Sequence, residues 1–240
     1  MMEASRGVSL LLLVIIGCSL CLVCRAQIPI PARTDGFVYG GKPPTWGETV
    51  VIEAFNDPVC PDSRDAWPEL KKVVEHYGSK VSLIVHLFPL PYHHYAFIAS
   101  RSIHTVNKIN SSFVFPLLEK FFKCQEDYYN QPTYKKPTAV VVDEITKNLV
   151  VPVIGKTSLP AYKAGFNDSW SDQATRISFK YGCARGVTGT PYFFVNGIPL
   201  NVSGSPLEYK YWTDIIDPLV TQKLRATPSG SFKNVLAEMA

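Results

Sequence analysis

Among the side chains that carry chemistry, one cysteine is set apart by where it falls. The stretch Asp57-Pro58-Val59-Cys60-Pro61-Asp62-Ser63 follows an apolar run over 49–56, rich in β-branched residues, and precedes a helical pattern over 64–77. The spacing therefore predicts Cys60 at a strand-to-helix junction. Pro61 suits the first helical position, where its missing N–H costs nothing. Unpaired amides and the dipole of the helix then face the sulfur and favour its thiolate, the nucleophilic form. A free thiol with pKa about 8.5 is only a few per cent ionised at neutral pH, and a fall to about 6 makes it mostly thiolate. Asp62 opposes that shift and Arg64 offsets it, so the net sign is open at this level.

Other candidate groups are weaker. His93-His94 follows Pro91 near the end of a predicted strand, but a metal site needs three or four converging ligands, so loop histidines with incidental hydrogen bonds are the simpler reading and no metal is expected. A hydrolase pairing Cys60 with His76, His86, His93, His94 or His104 lacks any local protease signature. Gly155-Lys156-Thr157 ends like a phosphate-binding loop, yet Val150 stands where its first glycine is required.

The chain of 240 residues is 46% hydrophobic and 12% aromatic, enough for one large domain with a proper core or two small ones. Its net charge of +4 comes without a dense Lys/Arg run, which argues against nucleic acid as a partner. Arg6, an apolar run over 8–23 and Cys24-Arg25-Ala26 read as a signal peptide over 1–26, the alternative being a retained anchor. Asn110, Asn167 and Asn201 each begin an Asn-x-Ser glycosylation tripeptide, in keeping with a secreted or luminal protein without stable membrane association once the leader is cleaved. Without the leader three cysteines remain, Cys60, Cys124 and Cys183. If Cys60 is the reactive one, Cys124 and Cys183 either pair or stay as buried thiols.

The elements that must position Cys60 are read in order. An extended Pro/Gly-rich segment covers 27–48, with an edge strand at 37–39. Strand 49–56, helix 64–77 and strand 81–88 form a β-α-β unit whose apolar strands imply parallel pairing. Helices follow over 95–108, 113–129, 138–150, 158–164 and 171–185. Strand 192–195, the turn Asn196-Gly197, an edge strand 198–200 and a helix over 206–222 close the pattern. A sheet domain over 49–225 with a helical insertion at about 90–186, then a loose tail over 226–240, explains this most simply.

This order, with a cysteine at the first strand-to-helix turn, resembles the thioredoxin superfamily, and the helical insertion looks like its DsbA-like disulfide oxidoreductases. Pro68 lies eight residues after Cys60, where thioredoxin-like helices carry a kinking proline, and Val187-Thr-Gly-Thr-Pro191-Tyr-Phe-Phe-Val-Asn-Gly197 looks like the family's cis-proline loop and hairpin. The fold class implied is α/β, a thioredoxin-like fold with a helical insertion. The resemblance further implies a cis Thr190–Pro191 bond facing Cys60, with Pro61, Thr190 and Pro191 touching an extended polypeptide substrate. It suggests Glu53 as a buried proton-carrying acid, one residue out of the family's spacing; an ordinary strand carboxylate is the alternative.

The sequence departs from the family's Cys-x-x-Cys at its last position, Ser63. A hydroxyl cannot attack a mixed disulfide, so release from Cys60 needs glutathione as co-substrate or a second thiol on the client. Ser63 could still donate a hydrogen bond to the thiolate. The functions implied are thiol–disulfide exchange or isomerisation on polypeptide clients with cysteines, a client-binding module without redox chemistry, or a glutathione-using transferase on the same fold; no resident cofactor is expected.

Overall fold

Two seven-residue strands, β2 (Val50–Asn56) and β3 (Val81–Leu87), run parallel at the centre of the sheet, Val50 opposite Val81 and Asn56 opposite Leu87. In this computed structural model residues 33–45, 47–201 and 206–221 are described. The predicted leader, Trp46, residues 202–205 and the tail over 226–240 lie outside them. The unit that begins at Asp35 carries everything that follows. Among the described residues the sheet has five strands in the order β1-β3-β2-β4-β5. β1 (Phe37–Val38) is antiparallel to β3; β4 (Tyr192–Val195) is antiparallel to β2, and β5 (Ile198–Pro199) to β4. Asn196 and Gly197 both take positive φ, 49° and 81°, the backbone that a two-residue hairpin demands.

Strand alternation sorts the side chains to two faces. Ile52 and Ala54 of β2, Leu83 and Val85 of β3, and Phe193 and Val195 of β4 belong to the larger core. That core is closed by Trp67, Leu70 and Val73 of α1 (Pro61–Tyr77) and by Trp212 and Ile216 of α7 (Tyr209–Thr221). Phe55, Phe88 and Phe194 form a second cluster on the other side, against Phe179 and Tyr181. Those two residues lie on α6 (Ser169–Ala184), which crosses so tightly that a methyl group on Gly182 would sit 2.5 Å from the Phe88 ring. Burying a large aliphatic or aromatic side chain is worth about 1.5–3 kcal/mol, so both faces hold the sheet.

α2 (Ala96–Ile109), α3 (Val114–Cys124), α4 (Thr138–Ile145), α5 (Leu159–Asn167) and α6 lie between β3 and β4, the helical insertion that the sequence predicts. Two predicted helices are shorter than expected. α3 stops at Cys124 instead of running to Tyr129, and a 3₁₀ turn over Gln125–Tyr128 follows, turning the Gln125 side chain fully inward. The run over 138–150 leaves α-geometry after Ile145 through a π turn, Thr146–Val150, just ahead of Pro152, which has no N–H to give to a preceding carbonyl.

Cys60, Cys124 and Cys183 are all free thiols, so of the two alternatives the Cys124–Cys183 pair is not formed. The reason is topological. Cys124 packs against the core on the α1 side, whereas Cys183 is exposed near the end of α6, on the opposite face of the sheet.

Candidate active site

Asp57, the first residue past β2, builds the turn that presents Cys60. Its carbonyl accepts from Cys60 N–H at 3.0 Å and its Oδ1 from Val59 N–H at 2.9 Å, an aspartate folding back on its own backbone. Its own N–H donates to Ser63 Oγ at 3.2 Å. Cys60 is then the N-cap of α1 in extended geometry (φ −87°, ψ 125°), with Pro61 opening the helix as predicted. Ser63 is fully buried, and its hydrogen bond goes to Asp57, not to the sulfur. It acts on Cys60 through the shape of the turn.

Facing this turn, Thr190–Pro191 is a cis peptide, and Cys60 Sγ–H donates to Thr190 O at 3.4 Å. The Thr190 hydroxyl oxygen is buried without a partner among the described residues. Cys60 itself is 3% exposed. The inserted helices supply the third wall. Gln125 donates from Nε2 to the carbonyls of Pro58 and Cys60, at 3.3 and 3.2 Å, and receives the Tyr129 hydroxyl on Oε1 at 2.6 Å. The early end of α3 thus has a purpose: the inward glutamine clamps the Cys60 turn. Tyr92, 61% exposed, and Tyr129 both have phenols raised above the ordinary range, first by burial of the oxygen.

His93 completes the wall. Its Nδ1 lies 2.8 Å from Asp57 Oδ2, which also accepts from Leu90 N–H at 3.1 Å. A cavity of about 280 Å³ opens beside it, lined by Val59, Pro61, His93, Tyr128, Tyr129, Asn130 and Gln131. Sequence reasoning treated His93 as an incidental loop histidine and passed over Asp57. A signal was available: parallel strands end at the same edge, so the loops after Asn56 and Leu87 have to meet there.

Glu53 belongs elsewhere. It points from mid-β2 to the face covered by α6, where Arg185 clasps both carboxylate oxygens and Tyr181 OH lies 3.5 Å away. His86 Nε2 is 3.3 Å from Glu53 Oε2, a contact short of hydrogen-bond geometry, while Nδ1 meets Asp35 Oδ2 at 2.8 Å. Burial works to raise the Glu53 pKa, but the His86 ring and the Arg185 guanidinium outweigh it and bring it down to about 2. A carboxylate so firmly ionised does not shuttle protons at neutral pH, and its strand faces it away from the core beneath α1. The alternative, a satisfied strand carboxylate, describes it. The extra residue of spacing noted in the sequence is the cause: Ala54, one position on, points into the α1 core.

Of the sequence-derived residues, the fold brings together Cys60, Pro61, Ser63, Thr190 and Pro191, and leaves Glu53, Cys124 and Cys183 apart. Asn110, Asn167 and Asn201 are exposed, although Ser203 of the last tripeptide lies outside the described residues. Among the described residues no helix is long and apolar enough to cross a membrane.

A family model described as Thioredoxin matches residues 45–218. No curated protein matches the chain. Several solved structures share the fold. For alpha-DsbA1 from Wolbachia pipientis the TM-score is 0.57 at 16% identity, covering 89% of this chain and 97% of that one. A thioredoxin-like oxidoreductase from Silicibacter pomeroyi gives 0.55 at 17% identity over 78% and 93%. A periplasmic thioredoxin-like protein from Salmonella enterica serovar Typhimurium gives 0.54 at 18% identity over 73% and 87%.

Proposed function

Since the chain belongs to the thioredoxin family, with the DsbA-like helical insertion, we propose that it performs thiol–disulfide exchange on cysteine-containing polypeptides through the single nucleophile Cys60. One observation carries this reading: Cys60 occupies the N-cap position of a helix and its sulfur lies 3.4 Å from the carbonyl of Thr190, the residue before Pro191. The buried Thr190 hydroxyl lacks a partner among the described residues, and an incoming peptide backbone would supply one. Cys60 thiolate attacks one sulfur of a client disulfide, forming a mixed disulfide and releasing the other sulfur as a thiol. With Ser63 in place of a resolving cysteine, a client thiol or glutathione then attacks the mixed disulfide and frees Cys60. Re-pairing of disulfides follows without net oxidation when the attacking thiol is the client's own.

The predicted leader, the three exposed asparagines and the periplasmic relative all support work outside the cytosol, in an oxidising compartment. A second reading, client binding without redox chemistry, draws support from the 3% exposure of Cys60 and the missing second thiol. The test is reactivation of a polypeptide with scrambled disulfides, with the mixed disulfide trapped and read by mass spectrometry. The wild type is expected to restore activity and carry client on Cys60, Cys60→Ser to lose both, and Cys183→Ser to keep both. Equal activity of Cys60→Ser overturns the enzymatic reading and favours the binding one.

A further inference from the structure

The Asp57–His93 pair is built into the turn that carries the reacting sulfur, Asp57 accepting from the backbone N–H groups of Val59 and Cys60, and the exchange as written above gives it no task. Asp57 is 0% exposed, and its Oδ2 facing Nδ1 of His93 at 2.8 Å fixes the ring and leaves Nε2 as the free nitrogen. The ring lines the cavity together with Val59 and Pro61, the two chain neighbours of Cys60. A sulfur as buried as Cys60 cannot pass its proton straight to bulk water, and Glu53, the acid the family resemblance suggested, is on another face and paired with Arg185.

We propose that Asp57 and His93 form a proton relay for the exchange, His93 taking the proton of Cys60 and returning it to the sulfur that leaves the client. This rests on the exchange reading above. The steps balance. The Sγ–H proton of Cys60 passes to Nε2 of His93, directly or through a water in the cavity, and Asp57 faces the resulting imidazolium. The thiolate forms a bond to one client sulfur as the client S–S bond breaks, its electron pair going to the departing sulfur. That sulfur takes the proton from Nε2 and leaves as a thiol. In the second half an incoming thiol gives its proton to His93, attacks the client sulfur, and Cys60 leaves with the proton. The other titratable groups facing His93 are Tyr92, whose ring centroid is 5.0 Å away, with Tyr128 and Tyr129 across the cavity; all three phenols are raised and stay neutral near pH 7.

A leaving sulfur of high basicity needs that proton, and one of low basicity does not. The test compares, in the full chain at pH 7, the rate at which Cys60 attacks glutathione disulfide, whose leaving thiol is aliphatic, with its attack on a nitro-substituted aromatic disulfide. His93→Gln is expected to lower the aliphatic-to-aromatic rate ratio about tenfold, less than the roughly hundredfold or more of full general acid–base catalysis because only the acid half differs between the two reagents. Loss of the base function slows both reagents alike and cancels from the ratio. Asp57→Asn should move the ratio the same way by a smaller factor; should this buried substitution fail to fold, His93→Gln decides alone. An unchanged ratio in His93→Gln, with a reactive wild type, overturns the relay and leaves the exchange reading standing. A wild type inert to both disulfides overturns both.

Discussion

Glu53 and Asp57 lie four residues apart on the same chain segment, both buried carboxylates facing a histidine, and they end in opposite circumstances. Glu53 sits in mid-strand, clasped by Arg185 and overlaid by α6, in a network that also holds His86, Asp35 and Ser178. Asp57 lies just past the strand end. Among the described residues it has no Lys or Arg partner; two amides and His93 hold it, and the His93 ring lines a cavity. A charge compensated on every side stabilises a structure and stays ionised. A charge held by amides and a histidine beside solvent-accessible space can take part in chemistry. Strand position decides between them, because the interior of a sheet is covered by helices and its carboxyl end is not.

Breaking the compensated side has the largest expected effect. Arg185→Ala leaves Glu53 buried without its cation and removes the guanidinium packed 4.0 Å from the Phe194 ring. Removing one partner of a buried pair costs about 3–5 kcal/mol, and the partial exposure of Arg185 lowers the expectation to roughly 2–4 kcal/mol. Urea unfolding at neutral pH measures it. The deficit should shrink on acidification, since an unpaired buried carboxyl can take up a proton. A loss under about 1 kcal/mol would mean that Arg185 is a surface ion pair and that the two carboxylates differ less than argued.

The same network sets a pH dependence of stability. The Glu53 pKa is depressed from 4.5 to about 2, so the folded state binds fewer protons there than the unfolded chain. Its stabilisation is complete above about pH 4.5 and is lost as pH falls through about 2, at most about 3 kcal/mol. His86 has the opposite sign. Burial pushes its pKa down, but Asp35 and Glu53 on its two nitrogens outweigh this and hold it above 6.5. Its contribution is complete below pH 6.5 and disappears as pH rises through the folded value. Stability measured against pH should therefore fall on both flanks, and Glu53→Gln should flatten the acid flank. An acid flank equally steep in Glu53→Gln would sink the assignment.

Much of this was legible in the chain itself. The β-α-β start, the inserted helices and the Asn196-Gly197 hairpin follow from apolar periodicity and turn chemistry, and Cys60-Pro61 at the head of α1 follows from helix-start rules. The pairing of Cys60 with Thr190 and Pro191, 130 residues away, was reached only through family resemblance, since no local rule links them. Gln125 was hidden inside an expected continuous helix: its neighbours keep helical spacing, and only tertiary demand from the carbonyls of Pro58 and Cys60 ends α3 early. For Glu53 the one-residue mismatch to the family's spacing was itself the readable signal, since one residue of strand register sends a side chain to the opposite face, and the ordinary strand carboxylate is what the fold shows. Asp57 and His93 required combining two loops that the sequence shows 36 residues apart.

The smallest expected effect separates the two regions most finely, because it removes one hydroxyl from each. Tyr129→Phe takes the 2.6 Å donor away from Gln125 Oε1, and that oxygen is buried with the clamp. Leaving a buried acceptor unpaired costs about 1–3 kcal/mol, and the half-buried rim position of Tyr129 puts the expectation near 1 kcal/mol. Tyr181→Phe removes an oxygen 3.5 Å from Glu53 and 2.8 Å from Arg185, yet the carboxylate and guanidinium keep their two-point contact. Its cost should be about 0.5 kcal/mol, since no buried group loses its last partner. Function should split the same way. A slackened Gln125 no longer pins the carbonyls of Pro58 and Cys60, so Tyr129→Phe should speed alkylation of Cys60 by a small neutral reagent about threefold or more, an opening worth ~0.6 kcal/mol. Tyr181→Phe, behind the sheet, should leave that rate unchanged. If both variants alkylate at the wild-type rate, the 3% exposure of Cys60 is set by Thr190 and Pro191 alone, and the inserted helices do not gate the sulfur.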